Sequence, residues 1–338
     1  MNHLLHSRTG NLLKNYCTKI GKNSLLVQGA GGNASWKHNN ILWVKASGTW
    51  LADAIKKDIF VPVDLVHLQQ EISNNNFSSV PRVIGDSNLK PSIETLLHAL
   101  MPHKVVLHLH AIEILSHLVR FNPEIIFSKL IDTSINWSLI EYFKPGEDLA
   151  REVSKSLRDN SNIDVVFLKN HGVVIGGKSV EDIEKILKKL LISLKNNKNK
   201  LINKVTSSVK INNYALSLDS DINQLAINKN LSKRLSKEWA LYPDHVVFLG
   251  SHPIICSYPM NKEDIKKIHL NKPGFVFVMG HGVLENNKVT KSQKSQLRCY
   301  FDVIIRQPLQ EKLFILSEKE ITELLDWDAE KFRQSQSF

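Results

Sequence analysis

Cysteine is scarce in this sequence: Cys17, Cys256 and Cys299 are the three in 338 residues, far apart and odd in number, which excludes a disulfide framework and a cysteine-based zinc site. Long apolar runs are also missing. No stretch approaches the ~18 consecutive apolar residues of a spanning helix, and the first thirty residues hold no sustained apolar segment behind a basic start. A protein of the reducing cytoplasm, without a membrane partner, is the expectation. With 42% hydrophobic and 23% charged residues the composition is that of an ordinary globular chain. At roughly 100 to 200 residues per domain the length suggests two domains.

The formal charge is +11, a balance compatible with nucleic acid, anionic membrane or anionic small molecules. Much of the excess lies in the Lys/Asn-rich stretch from Lys185 to Lys204, where no aromatic residue accompanies the lysines. Stacking platforms would be expected beside the charge in a nucleic-acid site. A solvated helix face running into a linker is the reading adopted, and no nucleic-acid partner is expected.

Alternation and turn residues predict strands at Ser24–Val27, Ile41–Lys45, Val105–His110 and Asp164–Leu168. A short helix is expected over Pro91–Met101, and an amphipathic helix over Val180–Leu194, where Ile183, Ile186, Leu187, Leu190 and Leu191 recur at helical spacing. Lys195–Lys210 is the linker candidate, dividing the chain into residues 1–205 and a smaller α/β unit at 211–338. In that unit Leu241–Leu249 and Gly274–Met279 read as strands, and Val289–Ile305 and Glu318–Phe332 as helices. Segments starting at Val165, Val246 and Val276 share an apolar strand, a turn with His, and a second apolar run. Duplication and the generic look of any strand-turn-strand account for that equally.

The chemistry concentrates in the first unit. His108 and His110 stand at i and i+2 in an apolar run, and in a strand such residues project from one face, so both imidazoles can reach one ion. His171, at the end of another apolar run, is a candidate third ligand, and three His with an open position is a usual catalytic zinc arrangement. Gln28–Ser35 is a Gly-rich loop, and a second loop, Ala46–Thr49, follows the next strand. Glycines let backbone approach an anion, and Asn, Ser, Thr and Lys supply donors, although such a cluster also makes an ordinary turn. Pro91-Ser92-Ile93-Glu94 places a carboxylate in a helix's first turn, where it could simply complement the dipole while Ser92 caps the end.

The order Gly-rich loop, Ser-Gly loop, Pro-Ser-x-Glu, His-x-His and Asn-His-Gly resembles the class II aldolase/adducin family over roughly residues 1 to 200. The later residues look like its rhamnulose-1-phosphate aldolase-like members with an extra C-terminal domain. The resemblance implies a three-layer domain with a central, mainly antiparallel sheet, followed by the smaller α/β domain. It implies Zn2+, or another divalent metal, on His108, His110 and His171, with Glu94 as acid/base. Gly32, Asn33, Ser47, Gly48 and Ser92 match phosphate-binding positions, and Tyr142 matches a tyrosine brought to a neighbouring subunit's site. Ile93 stands where the family's sugar-phosphate aldolases carry a second Ser, for which Lys45 or Lys90 would have to compensate.

The implied activity is a zinc-dependent aldolase, a carbon-carbon lyase that cleaves or forms a small ketose or sugar phosphate through a metal-stabilised enediolate, in a cytoplasmic homo-oligomer, a tetramer by resemblance. The same residues leave open an epimerase or a decarboxylase of a sugar acid, and a noncatalytic adducin-like interaction module. His245, His252 and His281 in the second unit read as turn residues.

Overall fold

The structure, a computed structural model, describes residues 7–201, 209 and 211–335, with side chains of the last helix described as far as Phe332. The chain opens with α1 (Arg8–Gly21), capped by the Ser7 hydroxyl on the Gly10 amide, and continues through β1 (Asn33–His38), β2 (Ile41–Lys45), a short 3-10 turn at Leu51–Asp53 and β3 (Phe60–Asp64). Then come α2 (Leu65–Ser73), α3 (Thr95–Leu100), β4 (Val105–Leu109), α4 (Ile112–Leu118), α5 (Pro123–Leu130), β5 (Trp137–Ile140) and α6 (Glu147–Asp159). The hairpin β6 (Val165–Leu168) and β7 (Gly172–Gly177) and helix α7 (Val180–Ser193) complete the first half.

These strands form one seven-stranded sheet in the order β3-β2-β1-β4-β7-β6-β5, antiparallel throughout except for β5 beside β6. Period-two alternation sends Val105, Leu107 and Leu109 of β4 into a core shared with α1, α4, α5 and α7. Val106 faces the opposite way, into the core beneath α3 and α6. Helices therefore cover both faces, giving three layers, and each buried Val or Leu contributes on the order of 1.5–3 kcal/mol. His108 shares the face of Val106 and is fully buried.

The second half contains β8 (Tyr214–Leu216), α8 (Ser220–Ile227), α9 (Lys229–Lys237), α10 (Pro243–Leu249), β9 (Ile255–Cys256), α11 (Lys262–Asn271), β10 (Phe275–Val278), β11 (Gly282–Asn286), α12 (Lys291–Ile304), α13 (Glu318–Leu325) and α14 (Asp328–Ser335). Its sheet runs β8-β11-β10-β9 with β9 parallel to β10 and the other pairs antiparallel. That order and those senses repeat β4-β7-β6-β5 of the first sheet. Ile112, Leu115 and Val119, on and beside α4, join the core of the second half, so the two halves meet along a hydrophobic seam. Beside it Arg306 donates to Glu113 at 3.0 and 3.1 Å. No helix among the described residues is long and apolar enough to cross a membrane.

Several expectations need correction. Ser24–Val27 is a turn, closed by Leu26 and Val27 amides on the Asn23 carbonyl, and the strand begins at Asn33, inside the presumed glycine loop. Leu241–Leu249 holds a helix rather than a strand: Pro243 fits the first turn, and because Pro243 to Phe248 are all buried, the run carries no helical periodicity to read. The first helix after Pro91 starts at Thr95, since Ser92 and Ser47 amides pair with the Lys45 and Lys90 carbonyls, which ties residues 90–92 to the end of β2. Glu318–Phe332 is two helices, broken between Leu325 and Asp328. The Val246 segment is helical and leaves the repeat, whereas the other two are hairpins of the same shape. Of the linker candidate, residues 202–208 and 210 lie outside the described residues; Asn196 and Asn199 are docked, on Glu113 and on the Ile305 and Gln307 carbonyls.

Candidate metal centre

β4 delivers His108 from within the sheet and His110 from just beyond its end, both on one face. His171 arrives from the β6–β7 hairpin, whose turn needs a left-handed residue: Asn170 has φ 52°, a conformation Asn tolerates. The Asn170 amide group donates to the carbonyls of Leu241 and Phe314, tying the hairpin to the second half. Gly172 is obligatory by contact, since a Cβ there would lie 2.5 Å from the Leu109 carbonyl oxygen and 3.0 Å from His110 Cδ2.

The three rings converge, with candidate ligand nitrogens all within 4.8 Å of one another and every residue buried. His108 Nε2 and His110 Nε2 are 3.2 Å apart. His108 Nδ1 lies 3.2 Å from the Val173 carbonyl, which can only accept, so the proton belongs on Nδ1 and a lone pair remains on Nε2. His110 Nδ1 lies 3.3 Å from Asp244 Oδ2, which assigns its tautomer the same way. Two lone pairs facing each other in a buried site repel unless a cation sits between them. With Zn–N bonds of about 2.0–2.1 Å, neighbouring nitrogens of a tetrahedral site are about 3.3 Å apart. The donor set fits a divalent ion.

Glu94 closes the group. Its oxygens stand 3.5 Å from His108 Nε2 and 3.4 Å from His171 Nε2, and Oε2 accepts from Asn33 Nδ2 at 2.7 Å. Burial alone would raise this carboxyl, but His108, His171 and His110 hold it down, to about 2. Burial pushes His171 down to about 3 against the pull of Glu94, and lowers His108 likewise. Near neutral pH Glu94 is therefore a carboxylate and His108 and His171 are neutral imidazoles, the protonation state that metal ligation requires of them.

Around it lies a small cavity lined by Gly32, Asn33, Lys45, Ser47, Gly48, Ser92, Ile93 and Glu94, by Pro145, and by Pro243, Asp244 and Glu330 from the second half. All five residues matched to phosphate binding thus line one cavity. Lys45, nearly fully buried, donates to the Ala30 and Thr49 carbonyls at 3.1 and 2.7 Å, while Lys90 lies over the Phe332 ring. Three carboxylates (Glu94, Asp244 and Glu330) line the cavity against one lysine, an imbalance that a dication relieves.

Tyr142 does not line this cavity. It packs against the second core with its hydroxyl buried, and burial raises its pKa, so an intersubunit role would require the side chain to leave that packing. His245 is not a turn residue but a fully buried member of α10, enclosed by Trp239, Tyr242 and Tyr300. His252 is exposed, and His281 packs at a tilt against Tyr258. Sequence reading missed Asp244 and Glu330, single carboxylates in helices distant along the chain, with no local pattern to mark them.

Comparison with known proteins gives a consistent set of relatives. Residues 12–189, more than half the chain, match the family described as Class II Aldolase and Adducin N-terminal domain. An uncharacterised oxidoreductase, YuxG, of Bacillus subtilis (strain 168) is 28% identical over 178 residues, covering 48% of this chain and 25% of that protein. A methylthioribulose-1-phosphate dehydratase of Geobacillus kaustophilus (strain HTA426) is 30% identical over 118 residues, 30% of this chain and 55% of the relative. An L-fuculose phosphate aldolase of Methanocaldococcus jannaschii is 30% identical over 183 residues, 49% of this chain and 82% of the relative. The chain thus spans a quarter of the first relative's length and about half of the second's.

Proposed function

The chain belongs to the class II aldolase and adducin N-terminal domain family, and from that premise we propose that it is a divalent-metal-dependent carbon-carbon lyase acting on a small ketose or sugar phosphate. The observation that carries this reading is the convergence of three imidazoles on one point beside a carboxylate held ionised. When bound by His108, His110 and His171, a zinc or similar ion would supply Lewis acidity to adjacent carbonyl and hydroxyl oxygens of the substrate.

The protein's own groups do the rest. Glu94 takes a proton from the carbon beside the carbonyl in the condensation direction and returns it in cleavage. Asn33, donating to Oε2, keeps that carboxylate aimed and lowers its freedom to swing. Donors at Asn33, Ser47, Gly48 and Ser92 hold the distal anionic end of the substrate, so that binding away from the reacting bond orients it. We place the metal-binding unit in residues 1–205 and the covering unit in 211–338, in a cytoplasmic homo-oligomer.

Elemental analysis of untagged protein tests this, beside the His108→Ala and Glu94→Gln variants. About one divalent ion per chain is expected, lost in His108→Ala and kept in Glu94→Gln, the latter with turnover of ketose phosphates to an aldehyde reduced at least ~100-fold. Protein that neither contains nor takes up zinc would overturn the proposal in favour of a noncatalytic module. Metal with loss of water or carbon dioxide in place of aldehyde release would reassign the reaction while keeping the site.

A further inference from the structure

We propose that α14 is a lid and that Glu330 sits in the substrate's anion seat, so that the anionic end of the substrate and this carboxylate compete for one cradle; the proposal rests on the reading of the site given above. Glu330 is 2% exposed although it belongs to the last helix of the chain. It lines the same cavity as Asn33, Lys45, Ser47, Gly48 and Ser92. Burying a carboxylate costs several kcal/mol unless its surroundings compensate, and a wall of amide and hydroxyl donors over a buried lysine is such a surrounding.

Two aromatic residues seat the helix over the mouth. The Trp327 indole lies on Gly146, where an added Cβ would come within 3.2 Å of the ring, and Lys144 Nζ is 4.9 Å from the ring centroid. On the other side Lys90 Nζ stands 4.2 Å from the Phe332 ring centroid. Two cations, Lys144 and Lys90, are thus covered by rings that flank Glu330 along the chain. These cation-ring contacts are individually weak, enough to favour closure and few enough to be broken.

Volume makes opening necessary. The cavity with α14 seated is about 20 Å³, room for about one water, whereas small-molecule sites usually enclose roughly 300–1,000 Å³. No sugar fits until the helix lifts, and lifting it removes Glu330 from the donors that the substrate's anion would then meet. The break between α13 and α14 at Asp326 and Trp327 provides the hinge.

The test uses the full-length, metal-loaded protein and inorganic phosphate as the probe. Amide hydrogen exchange over residues 328–335 is followed as phosphate is added, and phosphate affinity is measured by calorimetry for the wild type, Glu330→Gln and Trp327→Ala. Faster exchange in the helix at saturating phosphate, with binding at least tenfold tighter in both variants, is expected. Unchanged exchange, or equal affinity in all three proteins, would overturn the lid, as would absence of phosphate binding even in Glu330→Gln. Metal content is read in the same samples: intact metal with an indifferent helix refutes the lid alone, whereas metal-free protein refutes the function proposed above.

Discussion

Asp244 connects the second half of the chain to the histidine cluster, and replacing it separates a metal centre from a merely polar core. Its Oδ2 is 3.3 Å from His110 Nδ1 and accepts from Gln296 Nε2 at 3.1 Å, all in a region where Asp244 is 3% and Gln296 1% exposed. Outer partners of ligating histidines are worth about 10–100-fold in metal affinity, or roughly 1.4–2.7 kcal/mol. Asp244→Asn keeps an acceptor oxygen for His110 but loses the charge that favours a dication, so a loss near the lower bound is expected. Asp244→Ala removes the acceptor as well and strands the Gln296 amide, which puts it near the upper bound. Zinc titration against a chromophoric chelator reads both values, with near-ultraviolet circular dichroism confirming the fold. Wild-type affinity in both folded variants would mean that His110 is not oriented through Nδ1, and the tautomer assignment behind the site would fail.

Two further outcomes follow from groups away from the cluster. Arg306, with a side chain 1% exposed, joins Glu113 of α4 to Asp302 of α12; Arg306→Ala leaves two carboxylates without it and should cost about 3–5 kcal/mol by urea denaturation, while Lys19→Ala at the exposed Glu184 pair should be near neutral. A loss under about 1 kcal/mol at Arg306 would show that the seam, rather than the ion pair, holds the halves together. Stability should also fall in mild acid. Burial lowers His98 and His245 to about 3, and burial together with Arg120 lowers His117 to about 4, so the unfolded chain binds more protons below its histidine pKa than the folded one. The contribution of these groups is complete above pH ~6.5 and is lost as pH falls to about 4 for His117 and about 3 for His98 and His245, at up to about 1.4 kcal/mol per histidine per pH unit. A melting temperature that stays flat between pH 7 and 4.5 would contradict it.

How much of this was legible depended on whether the signal is local. The His-x-His strand is readable because period-two geometry and the metal's demand for a shared face coincide within three residues. Glu94 was readable only through its place in the motif order: complementing the helix dipole was the simpler account, and its carboxylate turns to Asn33 and the histidines. β1 was misread as loop because Asn33 and Ser35 disfavour strands on propensity, while pairing with β2 and β4 on both sides overrides them. α10 was misread because a helix buried on every side has no polar face to set a period. Asp244 and Glu330 reach the site only through the docking of the second half, which no window of sequence contains.

The repeated strand order lets the two halves be compared position by position. In the first sheet His108 pairs with Val174, two residues beyond Gly172 of the Asn-His-Gly turn; in the second, Leu216 pairs with Leu284, two residues beyond Gly282. Leu216 therefore stands in the register of His108, and Leu218, two further on and fully exposed, in that of His110. The turn itself persists: His281 takes the place of His171, its amide bonding to Val278 as that of His171 does to Leu168, with Gly280 left-handed where Asn170 is. One histidine without its two partners cannot make a three-ligand site, and among the described residues the only three-histidine cluster is that of the first half. The hairpin was visible as a weak repeat because its turn chemistry is local, and the register match of Leu216 to His108 was not, because a three-residue edge strand leaves no periodicity. The second half contributes to the site of the first in another way. It sets one carboxylate behind His110 and, at the far end of the chain, another across the cradle where the substrate's anion would bind.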